Sequence, residues 1–298
     1  MENNDQNTGW SLLGVPSTVD PEKSWLQNEI EVYVESYRAR FEWPPDYPRR
    51  FNVADENMPW EVDYPEYEPP YYVAPVVLEN DCTKKEGGWA DPEDIAEVKD
   101  LAGESFEGTV LLDEQGRPLN PRGRSGLAGR GLLGKWGPNY AADPIITRVN
   151  QRFGDVEMLA IQRKDNGQWA IPGGMVDKGE AVTATLSREL KEETGVELDF
   201  SDAHLVYQGF VDDRRTTDHA WIESTVKHLH LEGEQAEKLE LEAGSDALSV
   251  TWLPLTDRSL GKLYASHGYF VVSALGMLYR RQPDLLPAKF MQLLASYF

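Results

Sequence analysis

The chain has 298 residues, enough for one large or two modest domains with cores of their own. Its formal net charge of −22 and pI near 4.6 exclude the basic surface that grips nucleic-acid backbones, and they require local arginines or cations wherever an anion is held. A single cysteine, Cys82, excludes an internal disulfide framework and fits a reducing compartment, while no stretch approaches the roughly twenty apolar residues of a membrane span.

The first ten residues, MENNDQNTGW, are acidic and have neither an apolar core nor an Arg-rich amphipathic pattern. They read as neither a secretory signal nor a transit peptide, so the expected location is cytoplasmic. Ile30, Tyr33, Val34 and Tyr37 stand at helical spacing and predict a short helix over residues 29–40. Residues 43–75 are dense in Pro, Tyr, Trp and acids, which predicts a packed, extended segment. Asp91-Pro92-Glu93 reads as a helix start ahead of Ile95, Val98 and Leu101. The next stretch, PLNPRGRSGLAGRGLLGKWGPNY at 118–140, is rich in Gly and Arg. It marks the expected boundary between an N-terminal domain, residues 1–139, and a catalytic domain, residues 140–298. Its Arg122, Arg124 and Arg130 are candidates for phosphate contacts, the alternative being loop arginines that face solvent.

Strand-like runs follow at 145–149, 156–162 and 168–171, and return at 205–211, 220–231 and 249–253. Between the two groups, residues 182–194 lack Gly and Pro and carry good helix formers, with Gly195 placed as a C-cap. Glu189, Glu192 and Glu193 stand at i, i+3 and i+4 on that helix and share a face. Carboxylates that close need a neutraliser, and a hard divalent cation such as Mg²⁺ or Mn²⁺ suits oxygen ligands. Arg188 is placed to fix a carboxylate rotamer, and Pro172-Gly173-Gly174 turns the chain so that the Gly174 carbonyl can face the same metal. A metal held there would polarise phosphoryl oxygens and activate an attacking water. His228 and His230 alternate along a strand with no third ligand at sensible spacing and read as ordinary strand histidines. Helical sequence at 269–280 and an amphipathic stretch at 285–298 close the chain. Strands on either side of one helix predict an α/β (α+β) fold in which a mixed β-sheet is sandwiched between helices.

The run GMVDKGEAVTATLSRELKEETGV, from Gly174 to Val196, fills every position of the Nudix box. The chain therefore resembles the Nudix hydrolases. The strings NPRGRSGLAGRGLLGKWGPNYAADPIITR, WAIPGGMVDKGE, GFVDDRRTTDHAWIES, LEAGSDA and LYASH, spread from about Pro59 to His267, narrow this further. They resemble the ADP-ribose pyrophosphatases of animal mitochondria and the related ADP-ribose-sensing domain of melastatin-type cation channels.

The resemblance implies a Nudix fold with a smaller N-terminal domain and a substrate cleft between the two. It implies Mg²⁺-dependent hydrolysis of ADP-ribose to AMP and ribose 5-phosphate, with metal at Gly174, Glu189, Glu192 and Glu193 and with Arg188 orienting the acids. Asp213 and Arg215 of the DDRR run are implied near the terminal ribose and phosphates. Tyr264, Ser266 and His267 are implied near the adenosine or ribose end, Tyr264 by stacking. The general base stays open among Glu242 and Asp246 of LEAGSDA and the box residues Glu192 and Glu193. The box is intact here, including Gly195, whereas the mitochondrial enzyme lacks that glycine and the human-type channel domain has lost key acids. Mitochondrial location does not carry over, and the sequence after His267 does not match. The rival readings are a domain that binds ADP-ribose without cleaving it and a hydrolase of another nucleotide, such as NADH or a sugar nucleotide. No nucleic-acid or membrane partner is expected, and monomer or homodimer stays open.

Overall fold

The computed structural model describes residues 38–177, 179–232, 236–244, 247–288 and 290. Of the helix expected at 29–40, only a 3-10 turn at Arg38–Arg40 falls among them, and most of 285–298 lies outside the described residues. Six short strands come first: β1 (Tyr71–Val73), β2 (Glu104–Ser105), β3 (Gly108–Thr109), β4 (Leu111–Leu112), β5 (Pro118–Leu119) and β6 (Ala128–Gly131). The large sheet contains β7 (Gly137–Val149), β8 (Val156–Arg163), β9 (Trp169–Ala170), β10 (Gly174–Met175), β11 (His204–Val211), β12 (Ala220–Leu231) and β13 (Ala247–Pro254). Its order is β11-β12-β7-β8-β13, with β9 beside β8 and β10 beside β7. Strand β12 runs parallel to β7 along its whole length while the other pairs are antiparallel, so the sheet is mixed.

Strand β7 changes neighbour partway along. Ala141 and Ala142 pair with β10, whereas Thr147 to Val149 pair with β8. The change falls at Asp143-Pro144, where proline has no N–H to offer a ladder. Strands β10 and β8 part at this point, and an acid stands at the parting.

Side chains alternate along β7 and sort the two cores. Ile145 shares one with Phe270, Val271, Ala274, Leu275 and Leu278 of the closing helix His267–Arg281. Ile146 shares the other with Leu186 and Leu190 of the box helix Val182–Thr194. Each helix lays an apolar face on one side of the sheet. The box helix buries Leu186 and Leu190, one turn apart, and this leaves Glu189, Glu192 and Glu193 outside the core. It ends on Gly195 in the left-handed conformation, φ 73°, as a C-cap requires.

Residues 95–101 differ from expectation. Only a 3-10 turn forms, Ile95–Glu97, capped by the Asp94 side chain. The reason is that the preceding residues are committed elsewhere. Asp91 accepts from Lys135 Nζ and the Trp136 N–H at 3.0 Å each, and the Pro92 carbonyl accepts from Trp136 Nε1 at 3.0 Å. Ile95, Val98 and Leu101 are only half-buried, so a helix here would have no face to bury.

The arginines of the Gly-rich stretch have neither of their expected roles. Arg124 is buried and donates to the carbonyls of Asn57, Pro59 and Val62 at 2.9, 2.6 and 2.9 Å. Its guanidinium also lies 5.0, 5.8 and 5.3 Å from the rings of Trp60, Tyr64 and Tyr67. Arg130, fully buried, bonds the carbonyls of Asp91 and Gly134 and pairs with Glu93. Arg122 pairs with Glu107 at 2.6 Å. Arg124 thus knits the aromatic 43–75 segment to the Gly-rich stretch, while Arg130 and Arg122 tie that stretch to residues 91–93 and 107. That segment joins the sheet as well: Ala39, Met58 and Val110 share a core with Phe210 and Trp221. The expected boundary at 139/140 falls inside β7.

His228 and His230 both meet Thr147 Oγ1, at 2.7 and 2.8 Å. Burial pushes the His228 imidazole down to about 3, so it folds neutral. Replacing Arg124 with Met should cost on the order of 3 kcal/mol, because three carbonyls lose a charged donor. A loss of unfolding free energy below about 1 kcal/mol in urea titration would contradict that role. The histidine sets a pH window with a definite sign. The unfolded chain binds a proton at His228 below its ordinary value of 6.5 and the fold does not, so stability falls as pH drops from there toward 3. Urea midpoints between about pH 7 and pH 4 should show this loss, with a shallower slope in His228→Asn. An unchanged slope would assign the acid loss to other groups.

Candidate active site

Pro172-Gly173-Gly174 joins β9 to β10 and passes between β7 and the box helix. The Gly173 N–H donates to Glu193 Oε2 at 2.9 Å. A Cβ on Gly173 would lie 2.2 Å from Asp143 Oδ1, and one on Gly174 would lie 2.4 Å from the Glu189 carboxyl carbon. Three carboxylates, one from the sheet and two from the helix, thus close on two glycines, and a side chain at either position would drive them apart.

Arg188 holds the acids in register. It grips Glu180 in bidentate fashion at 2.9 and 2.8 Å, reaches the Met175 carbonyl at 3.1 Å, and gives Nη1 to Glu189 at 2.7 Å and Glu192 at 3.3 Å. The Arg188 bonds bring the Glu180 carboxyl down to about 2, with Thr185 Oγ1 adding a further hydrogen bond. Asp143 accepts from Ser224 Oγ. Three oxygens are left over: among the described residues, Glu189 Oε2, Glu192 Oε1 and Glu193 Oε1 accept no hydrogen bond.

The charge is not balanced locally. Burial pushes the Glu193 carboxyl up to about 8, and the fields of Glu189 and Asp143 add to it. Burial likewise raises Asp143 to about 6, against the Ser224 bond, and raises Glu189. Open, crowded carboxylate oxygens are the donor chemistry of a hard divalent cation, so the residues present fit one. No group of three such side chains is already arranged as a closed ligand set among the described residues. Arg188 bridges Glu189 and Glu192 instead.

The DDRR and LYASH residues meet beside this cluster. Asp213, buried on its loop, accepts from the Arg215 N–H, Nε and Nη2 at 2.8, 2.8 and 2.9 Å and from the Tyr264 hydroxyl at 3.0 Å. Burial alone would raise the Asp213 carboxyl, but the charge and bonds of Arg215 hold it well below the usual range. The N-terminal segment pins the loop from behind. Tyr47 donates to the Arg215 carbonyl at 2.9 Å, and Arg50 reaches the carbonyls of Arg214 and Thr216 at 3.1 and 2.7 Å. Asp143 feels Arg163 and Arg215, and Glu193 also feels Arg163, so the two groups form one electrostatic site.

Tyr264 is not a free stacking face. It is buried, its hydroxyl is committed to Asp213, and the Arg163 guanidinium lies 4.1 Å from its ring centroid. His267 Nδ1 accepts the Ile171 N–H at 2.8 Å, which requires a neutral ring, and burial pushes that ring down to about 3. Ser266 is buried at the start of the closing helix. Ala265 between them takes φ 44°, a left-handed turn unusual for a residue with a Cβ. Tyr264 and His267 tie the end of β9 to the Asp213 loop, through Trp169, Ile171 and Asp213. Glu242 is exposed beside the C-terminal end of the box helix, next to the turn that carries Glu192 and Glu193. Its N–H caps the Thr194 carbonyl at 2.9 Å, while the Gly244 N–H caps Glu193 at 3.1 Å. Asp246 lies outside the described residues.

Sequence reasoning missed Asp143, Arg163 and Tyr47. The only signal for Asp143 was an acid before proline inside an otherwise apolar strand, and nothing local marked the other two.

The raised Glu193 carries a signed consequence. An acid whose folded pKa lies near 8, above its ordinary 4.5, contributes stability below 4.5 that is lost as pH rises through 8. A bound divalent cation favours the ionised form and reverses that loss. Mg²⁺ should therefore raise the melting temperature more at about pH 8.5 than at about pH 6, as followed by scanning calorimetry. Equal shifts at both pH values would count against a cation at Glu193.

Two family models match the chain: the NUDT9-like, N-terminal domain over residues 53–137 and the NUDIX domain over residues 140–272. The chain is 42% identical to putative nudix hydrolase 6 of Caenorhabditis elegans, over 74% of this chain and 88% of that one. It is 42% identical to the mitochondrial ADP-ribose pyrophosphatase of Rattus norvegicus, over 77% of this chain and 74% of the rat protein. It is 37% identical to a transient receptor potential cation channel, subfamily M member-like 2, of Nematostella vectensis, over 86% of this chain but only 18% of the channel. With a complete box on a mixed sheet between two helices, and with relatives matched across most of their length, the chain belongs to the Nudix hydrolase family.

Proposed function

We propose that the protein hydrolyses the diphosphate of ADP-ribose to AMP and ribose 5-phosphate, with Mg²⁺ or Mn²⁺ as cofactor. The observation that carries this reading is the set of three open oxygens on Glu189, Glu192 and Glu193, the first two acids fixed by Arg188 and the third by the Gly173 N–H, placed beside the Asp213–Arg215 pair. The rat relative, an ADP-ribose pyrophosphatase matched over about three quarters of each chain, supports the choice of substrate.

The residues divide the work. A divalent cation on the open oxygens, with the Gly174 carbonyl, would polarise the phosphoryl group and acidify a bound water. Arg188 keeps Glu189 and Glu192 from swinging away, as its bonds to Glu180 and Met175 anchor it on the other side. Arg215, about a third exposed, offers positive charge to a phosphate, and Asp213, buried with both oxygens engaged by Arg215 and Tyr264, holds that arginine in place rather than meeting ribose hydroxyls itself. The proton of that water goes to one of Glu192, Glu193 and Glu242. Glu242 is exposed at the same end of the helix as Glu192 and Glu193, on the loop whose Gly244 N–H caps the Glu193 carbonyl.

Release of AMP from ADP-ribose in the presence of Mg²⁺, and its loss on chelation, tests the proposal. No Mg²⁺-dependent AMP would sink it, and tight ADP-ribose binding with no product over hours would favour a sensor. Glu192→Gln or Glu193→Gln should lower turnover on the order of a hundredfold or more while the melting temperature changes little. Near-normal activity in both would remove the metal assignment, and a panel including NADH and sugar nucleotides would reveal a different preferred substrate.

A further inference from the structure

We infer that Arg163 and Arg214 form a phosphate clamp, assembled by Asp165, beside the acid cluster. The inference rests on reading the site as one for a sugar-linked nucleoside diphosphate. Arg163 ends β8 and sets Nε and Nη2 on the two oxygens of Asp165, at 2.9 Å each, in the turn to β9. Arg214, from the loop between β11 and β12, brings Nη2 to the same Asp165 Oδ2 at 3.1 Å. Two guanidinium groups from separate loops therefore share one carboxylate oxygen. In a chain with 51 acids and 29 bases, two cations crowded on one acid leave an unbalanced positive charge where one is scarce.

The donors that remain are open. Among the described residues, Nη1 of Arg163 and Nη1 of Arg214 donate to no protein acceptor, and the Nε of Arg214 is buried without one. Both side chains keep 28% of their surface exposed, so a ligand can reach them. Both are also held from behind. Arg163 lies over Tyr264, whose hydroxyl is bound to Asp213, and the Arg214 carbonyl is bound by Arg50. The field of Arg163 reaches Asp143 and Glu193, which places the clamp at the edge of the acid cluster.

A phosphate is the chemistry that fits. Its oxygens accept several N–H bonds at once, and its negative charge meets the excess that Asp165 leaves unbalanced. Asp165 is a positioning residue: by holding both Nη2 atoms it keeps the open Nη1 donors together before the ligand arrives. One phosphate of the diphosphate would rest here while the acid cluster handles the other.

Calorimetric titration of ADP-ribose and of inorganic pyrophosphate, with chelator present and no metal, tests the clamp. Arg163→Gln and Arg214→Gln should each weaken both ligands about tenfold, and Asp165→Asn should weaken them roughly threefold. Added salt should narrow these differences. In turnover at saturating Mg²⁺, KM should rise by more than kcat falls. Arg163→Lys, which keeps the charge and loses the fork, should recover only part of the affinity. Folded Arg163→Gln and Arg214→Gln proteins that bind pyrophosphate as the wild type does, or that lose kcat alone, would overturn the clamp. Should Arg163→Gln fail to fold, the partly exposed Arg214 decides. If clamp-dependent pyrophosphate binding occurs without any cleavage of ADP-ribose, the substrate reading falls and the clamp stands. If both variants cleave ADP-ribose with wild-type KM, the reverse holds.

Discussion

The site depends on one constraint: like charges from two elements close on a turn with no room for a side chain. Asp143 comes from the sheet, Glu189 and Glu193 from the helix, and Gly173-Gly174 passes between them. Packing sets this geometry rather than attraction. Leu186 and Leu190 press the helix onto Ile146, and the break in pairing at Pro144 opens the sheet beside Asp143. Burial then raises the acids, and the fold carries that cost at the place where it needs a cation.

The rest of the molecule balances its charge by committing its arginines. Arg188 serves Glu180, Glu189 and Glu192; Arg215 serves Asp213; and Arg124 and Arg130 are spent on backbone carbonyls. An acidic chain has few cations to spare, so two arginines gathered on one carboxylate, as Arg163 and Arg214 are on Asp165, stand out against that background. The same scarcity explains why the Gly- and Arg-rich stretch proved structural. The guanidinium groups of Arg124 and Arg130 are buried, and buried Nη donors find carbonyl acceptors close by.

The box helix and the flanking strands were legible because periodicity and a C-cap glycine are local signals. Residues 182–194 and 220–231 form the expected elements over the expected residues. The three glutamates and Arg188 were legible for the same reason, since i, i+3 and i+4 spacing is enough to bring them together. Contacts made over long sequence separations were not. Asp143 reaches Gly173 only after β10 pairs with β7, and Tyr47 reaches Arg215 across 168 positions. The resemblance implies stacking by Tyr264 near the adenosine or ribose end, and only the fold shows its hydroxyl on Asp213 and its face under Arg163. The short turn at Ile95–Glu97 failed as a helix because its start signal, Asp91-Pro92, is engaged by Trp136 from a later loop.

These long contacts also explain why the N-terminal segment belongs to the active site although it supplies none of the box acids. Arg50 and Tyr47 hold the backbone of residues 214–216 through three carbonyls, and that backbone presents Arg214 and Arg215. Without it, a loop carrying two adjacent arginines would spread to separate the charges, and Asp213 would lose the fixed partner that keeps it ionised in a buried position. The acids are oriented by the box helix with the turn and strands around it, through Gly173, Met175 and Glu180, whereas the positive half of the site also needs the N-terminal segment. Acid geometry and substrate recognition thus draw on different parts of the chain: the first on residues 143–193, the second on the packing of residues 47–50 against the 213–216 loop.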